Sequence, residues 1–204
     1  MQRFALSDFA IPDFSVDGRT VLDVGCGNGH ALAYPHFARA KERVGIDVDT
    51  AAIDQGSAKF PELKLIYGSA EHIQFAPEAF DVVISRVALP YTDIRAAMSE
   101  INRVMKPGGD LFLTMHDWYH QWEFLSGALK KRALRRVLDH AYILSASAVF
   151  IATGRVPTRP GRGTRETFQT EGCMRRELGR AGFSDVAFRR TPRHWRITAR
   201  KPAF

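Results

Sequence analysis

Apolar residues in the first 118 positions fall in short, nearly unbroken runs separated by polar stretches. Thr20–Gly25 (TVLDVG), Arg43–Val48 (RVGIDV), Leu63–Gly68 (LKLIYG), Phe80–Val87 (FDVVISRV) and Gly109–His116 (GDLFLTMH) each read as a strand. Continuous apolar character, rather than alternation, is what a parallel strand covered on both faces requires. Between the fourth and fifth runs, Ile94, Ala97, Met98, Ile101, Val104 and Met105 recur at steps of three and four, which predicts a helix with one apolar stripe. Pro107-Gly108-Gly109 stops it. Strands and helices alternating in this way predict an α/β protein with a doubly wound, largely parallel sheet.

The pattern changes after Asp117. Residues 119–152 have helical character, with Trp122, Leu125 and Leu129 on one side and Leu134, Val137, Leu138, Ala141 and Leu144 continuing an apolar face. Gly154–Thr167 (GRVPTRPGRGTRET) reads as a loop. Thr170 can cap a short helix carrying Met174, Leu178 and Ala181 that Gly182 closes. Asp185–Arg190 and Trp195–Lys201 read as two strands separated only by a Thr-Pro-Arg-His turn, so they are expected to pair antiparallel. The sum is a seven-stranded mixed sheet with its last strand antiparallel and a helical insertion after the fifth strand. A chain of 204 residues fits one domain, 1–204, within which 119–168 forms the insertion.

Composition adds exclusions. With 45% hydrophobic and 25% charged residues, the chain is an ordinary globular one, not a disordered or coiled-coil one. Two cysteines, Cys26 and Cys173, make no disulfide framework, which favours a reducing, cytoplasmic setting. The opening MQRFALSDFAIPDF lacks the apolar segment of a secretory signal. Ala141–Ala152, the longest nearly apolar stretch, falls well short of the ~20 residues of a membrane span. No CxxC or HExxH suggests a metal site. Charge is uneven: residues 1–118 hold 11 Lys and Arg against 16 Asp and Glu, whereas residues 119–204 hold 18 against 6. The second part therefore suits an acidic substrate, a membrane surface or nucleic acid, or else carries a solvated basic surface.

The most informative stretch is Val21-Leu22-Asp23-Val24-Gly25-Cys26-Gly27-Asn28-Gly29. Glycines directly after a buried strand let the backbone turn sharply and approach a ligand with no Cβ in the way. In an open α/β sheet, that is where ligands bind. The spacing is GxGxG and not the GxGxxG of dinucleotide sites, and no P-loop lysine follows. Asp47 ends the second strand, where a carboxylate can accept both hydroxyls of a ribose. Asp23 is a buried carboxylate in need of a partner. Taken singly, Asp47 reads as a surface turn acid and Asp23 as a loop cap; their joint placement reverses this and favours a ligand.

VLDVGCGNG, then GIDVD, FDVVISRVALPYTD and RVMKPGGDLFLTM, resemble in order and distance the class I S-adenosylmethionine-dependent methyltransferases, in the motif style of ubiquinone-biosynthesis enzymes. The resemblance covers residues 18–118 and extends to the helix and strands at 170–201. It implies a Rossmann-like fold and S-adenosyl-L-methionine as cofactor. By that resemblance, Gly25, Cys26, Gly27 and Gly29 line the methionine part, and Asp23 helps hold its amino group. Asp47 binds the ribose hydroxyls and Val48 lies against the adenine. Ser69, Ala70 and Glu71 stand where the family often has an acid near the adenine amino group, with Ser69 in the usual Asp place. Ser85 and Arg86 face the methyl-donor side, and Arg86 can pair with a carboxylate or be a surface arginine.

The expected reaction is methyl transfer to an O or N atom of a small-molecule acceptor, acidic or lipid-like. Alignment supplies much of the rate of such an in-line displacement, and a base is needed only if the acceptor holds its proton at neutral pH. His116 and Tyr91 are the catalytic candidates in a cluster with Asp117, Tyr119 and His120; imidazole is the side chain that changes charge near neutrality, but His116 is equally a histidine satisfied at a strand end. Leu89-Pro90-Tyr91 invites comparison with the Asn/Asp-Pro-Pro-Tyr/Phe motif of amino-directed DNA methyltransferases, but Ala88 and Leu89 supply no acceptor for an exocyclic amine. The segment 119–168 is the expected substrate lid. Its Lys130, Lys131, Arg132, Arg135 and Arg136, followed by Arg155, Arg159, Arg162 and Arg165, suit an acidic substrate or peripheral contact with anionic lipid. The other readings are an RNA-binding methyltransferase and a catalytically idle cofactor-binding module.

Overall fold

The computed structural model describes residues 11–116, 125–127, 130, 133–161, 163–190 and 194–203. Seven strands form one sheet: β1 (Thr20–Val24), β2 (Glu42–Asp47), β3 (Lys64–Tyr67), β4 (Phe80–Arg86), β5 (Met105–His116), β6 (Ser184–Arg190) and β7 (His194–Arg200). Their order is β3-β2-β1-β4-β5-β7-β6. The first five pair in parallel, and β7 runs antiparallel to both β5 and β6. This is the Rossmann-like mixed sheet expected from the apolar runs. The chain steps outward from β1 to β2 and β3, then returns to place β4 on the other side of β1. That reversal creates a switch point at the carboxyl ends of β1 and β4, where a crevice opens.

Four helices are described: α1 (Thr50–Lys59), α2 (Ile94–Val104), α3 (Leu134–Thr153) and α4 (Glu171–Arg180). Two apolar clusters cover the two faces of the sheet. Leu22, Val24 and Val83 face one, which α2 and α4 close with Met98, Ile101, Met174 and Leu178. Val21, Val82 and Ile84 face the other with Phe37 and Phe112. Successive side chains of a strand point to opposite faces, so burial on both sides is why these strands lack polar alternation. In α2 the buried residues are Ile94, Ala97, Met98, Ile101 and Val104, the stripe expected from their spacing. Thr170 caps α4 in a reciprocal box with Cys173.

Two expectations need correction. Met105 does not extend α2; it opens β5, which therefore begins before Pro107-Gly108 rather than at Gly109, with an irregular register opposite Phe80 and Val82. In α3 the buried face is Ile143, Ala146, Ser147 and Phe150. Leu134, Leu138 and Ala141, expected inside, are exposed. The helix is apolar on two sides, and spacing alone does not say which side meets the core. Trp122 and Leu129 fall outside the described residues.

Asp81 ties β4 to its neighbours. Its carboxylate accepts from Thr20 N at 2.8 Å, Thr20 Oγ1 at 2.6 Å and Lys106 Nζ at 2.8 Å. Partial burial works against the charge, but Lys106 and Thr20 hold the carboxyl at about 2, below its ordinary 3.8. A depressed folded value means that this contribution is present above the unfolded pKa and lost as pH falls through the folded one. Asp81→Asn is therefore expected to be less stable than the parent near neutrality, with the gap in urea midpoint narrowing as pH falls from about 4 to about 2. A gap independent of pH would show that the ion pair does not carry the effect.

Candidate active site

At the switch point lies a cleft of about 390 Å³, lined by Gly25, Gly27, Asp47, Val48, Gly68, Ser69, Ala70, Glu71, Arg86, Val87, Ala88, Tyr91 and Thr92. Nine of the positions expected from the sequence thus meet in one place, from the ends of β1, β2 and β4 and the turn after β3.

The loop after β1 turns through Gly25, Gly27 and Gly29, all at positive φ. The glycines serve different ends. A Cβ on Gly27 would meet nothing within 4 Å, so this backbone faces open cleft. A Cβ on Gly29 would meet the Leu65 side chain at 2.9 Å, and φ +75 itself favours glycine there. Asp47 holds the loop: its Oδ2 accepts from Gly27 N at 2.7 Å and its Oδ1 from Asp49 N at 2.9 Å. A carboxylate has room for further donors, so the same side chain clamps the loop and still presents acceptor capacity to the cleft.

Beneath the loop, Asp23 is fully buried and its Oδ2 pairs with Arg86 Nη2 at 3.2 Å. Burial pushes the Asp23 carboxyl up; Arg86 opposes it, and Asp47 adds to the rise. Asp23 Oδ1 and Arg86 Nε are buried with no hydrogen-bond partner. A buried acceptor and a buried donor without partners are costly, a cost that a ligand bringing an ammonium and a carboxylate to them would relieve. Of the residues expected to hold the cofactor, Asp23, Cys26 and Ser85 are buried and do not line the cleft, and Gly29 does not line it either. Burial, then Asp23 and Asp47, pushes the Cys26 thiol far up, so it is no thiolate nucleophile. Ser85 Oγ donates to Val24 O at 2.8 Å.

At the other rim, Ser69 Oγ accepts from Glu71 N at 3.2 Å. Glu71 Oε1 accepts from Asp93 N at 2.7 Å and pairs with Arg165 at 3.1 Å. Thr167 N donates to Pro90 O at 3.0 Å. The segment 163–169 is thereby fastened to both the β3 turn and the Leu89–Tyr91 turn. Val87 takes φ 57, a strained conformation for a β-branched residue, and its N–H donates to Thr114 O at 2.9 Å. Tyr91 stands at the cleft wall; burial and then the charge of Glu166 push its phenol up, so it is a hydrogen-bond donor at neutral pH. Glu166 is half-buried, and burial followed by Asp139 pushes its carboxyl up. Arg165, expected to meet an acidic substrate or anionic lipid, instead pairs with Glu71, and Glu166 escaped sequence reasoning because it sits in a loop read only for its positive charge. His116 ends β5 opposite His194; its side chain, like Asp117, Tyr119 and His120, falls outside the described residues.

The residues present fit S-adenosylmethionine: acceptors for a ribose at Asp47, the Asp23–Arg86 pair with one unpartnered atom on each side chain for the amino-acid end, and an open glycine backbone between them. Fold and site together resemble those of class I S-adenosylmethionine-dependent methyltransferases. The comparisons agree: residues 22–113 match the methyltransferase domain family model. The phthiotriol/phenolphthiotriol dimycocerosates methyltransferase of Mycobacterium leprae is 34% identical over 101 residues, covering 48% of this chain and 37% of that protein. An uncharacterized methyltransferase of Bacillus subtilis, YcgJ, is 32% identical over 103 residues, covering 47% and 40%. These matches span less than half the length of the relatives. The crystal structure of an S-adenosylmethionine-dependent methyltransferase from Mesorhizobium loti shares the fold over 94% of both chains, with a TM-score of 0.62 at 16% identity.

Proposed function

We propose that the protein transfers a methyl group from S-adenosylmethionine to an oxygen or nitrogen atom of a small, lipid-like acceptor. The observation that carries this reading is one cleft in which Asp47, the glycine loop and Arg86, itself paired with the buried Asp23, meet a wall of Val87, Ala88 and Tyr91. The cofactor supplies an activated methyl on a sulfonium. Asp47 would accept from the ribose hydroxyls while holding Gly27. Asp23 Oδ1 would take the ammonium and Arg86 the carboxylate. Apolar Val87 and Ala88 suit an aliphatic or aromatic acceptor better than a highly charged one. The mycobacterial relative, named a phthiotriol/phenolphthiotriol dimycocerosates methyltransferase, is in keeping with such an acceptor.

Tyr91 would orient the acceptor as a hydrogen-bond donor. Glu166 is the acid whose charge acts on Tyr91, and a carboxyl with a raised pKa is suited to accept a proton from an acceptor hydroxyl. His116 is the other candidate for that task. The fastening of 163–169 to Pro90 and Glu71 supports a cover over the cleft formed by the second half of the 119–168 insertion.

The test is methyl transfer from labelled S-adenosylmethionine to fractionated lipids, polar metabolites and RNA, run beside calorimetric binding of S-adenosylhomocysteine. Label is expected in the lipid fraction. Label in RNA overturns the acceptor class, and binding without transfer to any fraction favours the idle module.

A further inference from the structure

The first two turns of α3 break three local rules at once. Leu134 is 70% exposed and Leu138 58% exposed, the first and third most exposed of the large hydrophobic residues described. They stand at i and i+4, so both project from one side of the helix. Ala141, Ala148, Val149 and Ala152 continue that side, all exposed, while Ile143, Ala146, Ser147 and Phe150 dock the opposite side on the core. Second, Lys130, Arg135 and Arg136 flank the leucines, exposed, and no carboxylate among the described residues pairs with any of them. Third, the first turn contains no acid and Ala133 provides no side-chain cap. Positive side chains at a helix amino terminus oppose its macrodipole, and two large apolar side chains in water forfeit their burial. Folding of the described chain accounts for none of these choices.

An anionic bilayer accounts for all three. Lipid phosphates neutralise the cations and face the positive end of the helix, and the boundary between headgroups and acyl chains takes up the leucines. We propose that the amino-terminal half of α3 is a docking surface for an anionic lipid membrane, with Leu134 and Leu138 entering the interface and Lys130, Arg135 and Arg136 meeting phosphate groups. No helix among the described residues is long and apolar enough to cross a membrane, so the contact is peripheral. It does not depend on which acceptor is methylated: the surface and the cofactor cleft share no residue.

The experiment is co-sedimentation of the full chain with vesicles of phosphatidylcholine alone or with roughly a third phosphatidylglycerol. Binding to the mixed vesicles is expected to exceed that to neutral ones by about tenfold or more and to weaken with salt. Leu134→Ser/Leu138→Ser and, separately, Arg135→Gln/Arg136→Gln should each lower it about tenfold, with S-adenosylhomocysteine affinity unchanged. That unchanged affinity also reports that the variants are folded and keeps this test separate from the proposed activity. As a second readout, Leu138→Cys carries an environment-sensitive fluorophore, selectively because Cys26 and Cys173 are buried. Its emission should shift to the blue on mixed vesicles and be quenched by lipids labelled near the headgroup. Equal binding to neutral and anionic vesicles, undiminished binding by the leucine variant, or an unshifted probe overturns the proposal. So does a dimer that the leucine variant dissociates, or binding to RNA but not to vesicles.

Discussion

Asp47→Ala is expected to weaken S-adenosylhomocysteine binding by roughly ten- to a hundredfold, on the order of 1.5–3 kcal/mol for hydrogen bonds to a charged acceptor. Two losses combine. The ribose loses its acceptor, and the glycine loop loses the clamp made by Asp47 Oδ2 on Gly27 N and Oδ1 on Asp49 N. Asp47→Asn separates them: an amide oxygen can still accept from Gly27, so the loop stays in place while the charge and one acceptor are gone. The asparagine variant should fall between the parent and Asp47→Ala. Gly27→Val offers an independent check, since φ +54 disfavours a β-branched residue and its side chain would project into open cleft. Calorimetric titration decides the matter, and affinity retained in Asp47→Ala would remove the carboxylate from the cofactor site.

Glu177→Ala is expected to destabilise the fold by about 3 kcal/mol, the lower range for breaking a buried ion pair by removing one partner. Glu177 is buried to 1% exposure and meets Arg95 Nε at 3.1 Å, Arg176 Nε at 2.8 Å and Arg180 Nη1 at 2.9 Å. The same guanidinia reach carbonyls at the end of α3: Arg95 bonds Thr153 O, and Arg176 bonds Phe150 O and Ile151 O. One carboxylate therefore organises the junction of α2, α3 and α4. Gly154 completes it at φ +73, where a Cβ would collide with both Arg95 and Glu177. Burial alone would raise the Glu177 carboxyl, but Arg95 and Arg176, then Arg180, hold it below its ordinary 4.5. The depressed value places this contribution above the unfolded carboxylate pKa and removes it as pH falls below. Urea unfolding near neutrality should show the full loss, and the difference between variant and parent should shrink in acid. A variant as stable as the parent would show that the arginines are satisfied by water and carbonyls alone.

Both expectations concern carboxylates, yet they differ in how they come to light. Asp47 announces itself in the sequence because it follows an apolar run at a fixed distance from the glycine loop. A parallel sheet brings the ends of neighbouring strands together whatever the loops between them do. Glu177 lies in a helix of mixed charge, where each of Arg175, Arg176 and Arg180 is an equal local partner. Only the packing of α4 against α2 selects Arg95, 82 residues away.

The sequence by itself determined the β-rich runs, the apolar stripe of α2, the cap of α4 at Thr170 and nine of the thirteen residues that line the cleft. These are properties of spacing: a strand buried on both faces and a helix buried on one leave a periodic trace in the chain. Tertiary structure alone decided which face of α3 meets the core, because that helix is apolar on two sides. It also decided that a side chain at Gly29 would run into Leu65, and that Arg165 reaches Glu71 across 94 positions. It placed Glu166 within electrostatic reach of Tyr91. Those outcomes depend on which segments the sheet order makes neighbours, and a loop written in arginine, glycine and proline carries no period from which to read that.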